Sequence, residues 1–163
     1  MKTVWLLRHA KSSWENASLS DHDRPLAPRG HKAGKRLRRF VSESGVRPEL
    51  VLCSTALRAR STLDLVLPGL GAPRVELDGD IYLASPDTLL LMLRSLGPTV
   101  ARVMLVGHNP GLHELACILA PPGPEALPTG ALVELHLEID GWQSAAPGCA
   151  TLDRLTLPRS LHP

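Results

Sequence analysis

The chain has 163 residues, close to the size of one domain, and at that length it buries enough surface to fold without disulfide or metal staples. Apolar residues are 44% and charged residues 21%, a globular balance that excludes a disordered chain. A net charge of +2, with one Phe, one Tyr and three Trp, offers little with which to hold nucleic acid.

The first apolar run stops at Arg8, too short for a signal-peptide core, and no stretch reaches the length of a membrane span. Cys53, Cys117 and Cys149 are odd in number, widely separated and without a C-x-x-C pair, which fits a reducing interior. The expectation is a cytoplasmic protein with no membrane or nucleic-acid partner. The oligomeric state is left open.

In chain order, residues 3–7 read as a buried strand. Residues 28–42 read as a helix, because Pro28 suits a first turn and Ala33, Leu37, Phe40 and Val41 recur at helical spacing. A second strand at 50–53 runs into Ser54, expected as the N-cap of a helix over about 55–67 that Pro68 and Gly69 close. Residues 89–96 read as another helix, ended by Gly97 and Pro98. A third strand at 102–106 leads through Gly107, His108, Asn109 and Pro110 into a helix reaching about Ala120. Residues 131–139 alternate and pair with 150–157 as an antiparallel segment. This order predicts a three-layer α/β/α sandwich with a mostly parallel sheet and an antiparallel C-terminal segment. One domain over 1–163 is expected, with no insertion large enough for a cap, and hence an open, shallow pocket.

In such folds ligands bind beyond the carboxyl ends of the strands. Arg8 and His9 end the first strand. Ser54 ends the second, with Arg58 one turn into its helix, and His108 ends the third. Parallel strands would gather two arginines and two histidines at one edge, a setting for a tetrahedral oxyanion. His9, directly after a buried strand, is the expected nucleophile toward phosphorus, with Arg8, Arg58 and His108 holding the phosphoryl oxygens. No metal or other cofactor is required, because the arginines neutralise the anion. Arg60 lies about 200° around the helix from Arg58 and is expected to face solvent.

Several segments carry a family resemblance. Leu6-Leu7-Arg8-His9-Ala10-Lys11-Ser12 resembles the R-H-G motif of the histidine phosphatase superfamily, with Ala10 where many members have Gly. Ser54-Thr55-Ala56-Leu57-Arg58-Ala59-Arg60-Ser61-Thr62 resembles its S-x-x-x-R-A-x-x-T segment, and Val106-Gly107-His108-Asn109-Pro110 its second-histidine motif. Arg8 to Trp14, Ser20 to Leu26 and Pro128-Thr129-Gly130-Ala131 are most similar to the short SixA-type phosphohistidine phosphatases. The resemblance implies the phosphoglycerate-mutase-like fold and a covalent phosphohistidine on His9. It also implies a phosphate site formed by Arg8, His9, Arg58 and His108, with Ser12 and Asn109 as further expected contacts.

The glutamate that mutase-like members use as general acid has no counterpart in Val75–Tyr82. An alkoxide leaving group needs that proton, whereas a protonated phosphoimidazole does not, so the expected substrate is phosphohistidine on a protein. Asp21 or Asp23 is a candidate acid, with Asp80 behind them. The alternatives are a phosphatase of small phosphoesters and a phosphate- or phosphopeptide-binding module without turnover. Arg29, Lys32, Arg36 and Arg39 share one helix face, which reads as a solvated surface or as a dock for an acidic phosphoprotein.

Overall fold

The structure is a computed structural model and describes residues 1–162. Six strands form one sheet: β1 (Lys2–Arg8), β2 (Leu50–Cys53), β3 (Arg74–Leu77), β4 (Arg102–Gly107), β5 (Leu132–Leu137) and β6 (Ala150–Thr156). Their spatial order is β3-β2-β4-β1-β5-β6. β1, β4, β2 and β3 pair in parallel, whereas β5 runs antiparallel to both β1 and β6.

Four helices cover the sheet: α1 (Pro28–Glu43), α2 (Leu57–Val66), α3 (Pro86–Arg94) and α4 (Gly111–Leu119). Side chains alternate across a strand, and here both faces are apolar. Val4, Leu6, Leu52 and Leu105 pack with Leu89, Leu93, Leu112 and Leu115 of α3 and α4. Trp5, Leu7, Val51 and Met104 pack instead with Leu37, Val41, Leu63 and Val66 of α1 and α2. Each such aliphatic side chain contributes about 1.5–3 kcal/mol by leaving water. Those two cores make the three expected layers.

Three local expectations need correction. β3 was not expected: it has four residues with only Val75 and Leu77 apolar, all of them exposed, and it is held as an edge by parallel pairing to β2. The third helix begins at Pro86, not 89, since the Ser85 hydroxyl accepts the Thr88 N–H as an N-cap. Ser54 does not cap α2, whose N-cap is Ala56 without a side-chain bond.

The insertion of β4 between β2 and β1 positions the site. Arg8 lies opposite Gly107, and Cys53 opposite Val106, so three strands end in one row. The row is tied by His9 N–H to the Gly107 carbonyl at 3.1 Å and Ser54 N–H to the Val106 carbonyl at 3.0 Å.

Candidate active site

His9, Arg58 and His108 lie together under the surface, at 6%, 4% and 5% exposure. The two imidazole centroids are 5.2 Å apart. The backbone around His9 is pinned from two sides. Its carbonyl accepts the N–H of Gly130 at 2.9 Å, and Ala10 N–H donates to Thr62 Oγ1, whose own hydroxyl donates to the Arg58 carbonyl. Gly130 holds φ +75°, a conformation that favours glycine. Ala10 is fully buried in this clamp, so a small residue is needed there.

The tautomer of His9 follows from its partner. The Ala10 carbonyl lies 2.7 Å from Nδ1 and can only accept, so Nδ1 carries the proton and Nε2 keeps its lone pair. Burial, followed by the charges of Arg58, Arg8 and Arg24, pushes the His9 pKa down to about 4 against the pull of that hydrogen bond. His108 is pushed down to about 3, by burial first and then by His9 and Arg58. Both rings are neutral near pH 7.

His108 Nε2 lies 2.8 Å from Ser54 Oγ, and that oxygen accepts the Ala56 N–H. Nδ1 of His108 is buried without a partner, as are Arg8 Nε, Arg58 Nε and Arg24 Nη1. Unpartnered buried polar groups are costly, and such guanidinium nitrogens on three arginines suit a place that takes an anion.

Arg58 is the inward arginine of α2; Arg60 binds the Thr55 carbonyl through Nε and is half-exposed. The guanidinium of Arg58 is also engaged. Its Nη1 donates to the Asp21 carbonyl at 2.6 Å and its Nη2 to Asp21 Oδ2 at 3.0 Å. Residues 10–27 thus reach over the strand tips, and the pocket is more covered than expected.

Asp21 also accepts the Tyr82 hydroxyl, and that bond, with Arg58 and Arg24, holds its carboxyl below the usual aspartate range. A carboxylate so held is a charge clamp near neutral pH, not a loaded proton donor. Asp23 is mostly exposed, and its recorded side-chain contact is with His22, 3.5 Å away. Asp21 is thus engaged with Arg58 and Tyr82, and Asp23 stands at the surface.

Ser12 and Asn109 also serve other groups. Ser12 Oγ accepts Arg24 Nη2 at 2.6 Å. Asn109 Nδ2 donates to the Leu127 carbonyl, which also takes Arg8 Nη1, so Asn109 steadies the loop that orients Arg8. Three participants were given no role by sequence reasoning, although Thr62 closes the quoted Ser54–Thr62 segment. Arg24 is buried, with Trp14 3.4 Å above its guanidinium; Tyr82 packs edge-on against His108 at 5.5 Å; Thr62 pins Ala10. Arg24 sits within the Ser20–Leu26 segment that carried the resemblance, and Tyr82 is the one tyrosine.

Among the described residues, Glu134, His136 and Asp153 form a group with metal-ligand proximity, on β5 and β6. Glu134 there already accepts the Trp5 indole N–H at 2.7 Å and contacts His136, which satisfies it without an ion.

The parallel strand tips bring together the residues of the three segments that resemble histidine phosphatase motifs. The chain belongs to the histidine phosphatase superfamily: the family described as Histidine phosphatase superfamily (branch 1) matches residues 4–81. An uncharacterized protein of Mycobacterium tuberculosis is 34% identical over 163 residues, covering 94% of this chain and 100% of that protein. A crystal structure from Agrobacterium tumefaciens bearing the name SixA superposes with TM-score 0.84 at 26% identity, covering 96% of this chain and 98% of the other. The protein histidine phosphatase SixA complexed with tungstate superposes with TM-score 0.82 at 25% identity, covering 96% and 97%. The fold is therefore SixA-like, of the phosphoglycerate-mutase type.

Proposed function

We propose that the chain is a phosphatase that hydrolyses phosphohistidine on a protein through a covalent intermediate on His9. The observation that carries this reading is the bond from His9 Nδ1–H to the Ala10 carbonyl. It leaves an unprotonated Nε2 on a neutral ring, beside buried guanidinium donors. A structurally similar protein histidine phosphatase, SixA, is solved in complex with tungstate, a tetrahedral oxyanion, which supports this reading.

In the first step Nε2 attacks phosphorus and the substrate's P–N bond breaks, its electron pair passing to the departing imidazole. In the second, water attacks the phosphoryl group and the Nε2–P bond breaks, giving orthophosphate and neutral His9. Arg8, Arg58 and His108 hold the charge on the transferring oxygens.

The substrate class follows from the missing acid. General-acid help to an alkoxide is worth about 10²–10⁴ in rate, and Asp21 and Asp23 are ill placed to give it. A phosphoimidazole protonated at its other nitrogen leaves as a neutral ring and does not need it. Three free cysteines fit a reducing compartment, which supports a cytoplasmic location.

The test compares a histidine-phosphorylated protein with a panel of sugar and nucleotide phosphoesters. The expected result is preference for the phosphoprotein, with an acid-labile, alkali-stable phosphate adduct on wild type and none on His9→Ala. Preference for esters overturns the substrate, and turnover surviving His9→Ala overturns the mechanism.

A further inference from the structure

The proposed chemistry leaves one strongly charged surface unused. Beside α1 lies a groove of about 350 Å³ whose rim carries five cations: Lys11, Arg29, Lys32, Arg36 and Arg159. Among the described residues lining it there is no carboxylate, and none of these five side chains has an ion-pair partner. The chain as a whole carries only +2, so this is local concentration and not general basicity.

Such a grouping works against the helix that bears it. The first turn of α1 holds no acidic residue, and its N-cap is Ala27, which has no side-chain acceptor. Arg29 and Lys32 stand at the positive end of the helix dipole, where carboxylates would stabilise. Arg29, Lys32 and Arg36 also repel one another at spacings of three and four. Local rules broken together, without an ion-pair partner among the described residues, are a mark of a functional surface.

The groove also borders the segments that hold His9. Lys11 lies two residues beyond His9, and Thr129 precedes the Gly130 whose N–H holds the His9 carbonyl. Its far wall is the Pro158–Ser160 turn, which carries Arg159. Its floor is apolar, from Ala33, Leu157 and Pro158. A charged rim over an apolar floor fits a polypeptide whose acidic side chains meet the rim while an aliphatic one rests beneath.

We infer that this groove docks an acidic segment of the protein substrate, alongside its phosphohistidine. The inference rests on the proposed protein substrate and adds the surface by which that substrate is chosen. Docking of this kind lowers KM and speeds encounter, and salt weakens it.

The experiment measures kcat/KM on two substrates, a histidine-phosphorylated phosphotransfer domain with an acidic surface and free phosphoimidazole. For R36E/R159E, kcat/KM toward the phosphoprotein is expected to fall about tenfold or more, through KM, as loss of steering and rim pairing predicts. Its rate on phosphoimidazole stays within about twofold, and the salt dependence of the protein reaction flattens. Should R36E/R159E fail to fold, K32Q/R36Q is expected to show the same pattern at smaller amplitude. An unchanged phosphoprotein reaction overturns the dock. Equal losses on both substrates also overturn it, by assigning the groove to small anions. Wild-type enzyme that cleaves phosphoimidazole but no phosphoprotein overturns the underlying substrate reading, a separate result.

Discussion

One hydrogen bond determines which face of His9 meets phosphorus. Because Nδ1 donates to Ala10, the ring cannot present that nitrogen, and Nε2 is the reactive atom of the proposed reaction. The low pKa has two consequences for acid conditions. His9, at about 4, stays neutral well below the ordinary histidine range, so the acid limb of kcat/KM falls below pH 5 once the substrate's own titration is removed. Stability responds at higher pH than the rate does. The unfolded chain binds protons on His9 and His108 near pH 6.5, whereas the folded site refuses them until about 4 and 3. Stability is therefore full above the unfolded pKa and declines as pH falls through this window. Thermal unfolding at pH 7 and pH 5 checks it; a rate limb near 6.5 would mean that His9 titrates normally.

Among the elements, α1 is positioned by a close approach and not by a capping side chain. An added Cβ at Gly30 would come 2.2 Å from the Lys11 carbonyl oxygen, and the Ala27 N–H binds that same carbonyl at 2.9 Å. Gly30→Ala must push α1 away from the segment following His9. The expected cost is about 1–3 kcal/mol, as for other overpacked sites, with turnover falling alongside the melting temperature. Thermal melts and steady-state rates on the purified variant check both, and an unshifted melt would mean that the helix relaxes freely.

Elements differ in how plainly the sequence announces them. β1, β2 and β4 are short aliphatic runs, each ending in a polar residue, and that pattern was enough to bring His9, Ser54 and His108 into one row. β3 was invisible because its stability comes from ladder bonds to β2, while Val75 and Leu77 remain 37% and 54% exposed. The partners of Arg58 were hidden for a similar reason. Asp21 and Tyr82 are 61 positions apart, and only the folded loop sets both against that guanidinium. Asp21 was picked out as an acid from its place after His9; its actual neighbours turn it into a clamp.

Across the whole molecule, charge is distributed by task. Arg58 is buried beside the strand tips, the five cations lining the groove beside α1 have no ion-pair partner among the described residues, and Glu134 ties Trp5 and Arg154 across β1, β5 and β6. Net charge averages these arrangements away, which is why +2 describes neither surface. The tryptophans are divided just as unevenly. Trp5 and Trp142 are buried, with their indole N–H groups held by Glu134 and the Val100 carbonyl, whereas Trp14 is 72% exposed over Arg24. The protein thus carries its own optical reporter: two fluorophores supply a constant background and one watches the pocket mouth. Titration with orthophosphate or tungstate is expected to shift the emission of wild type, and of His9→Ala, while Trp14→Phe stays silent. A shift that survived Trp14→Phe would place the responding indole elsewhere.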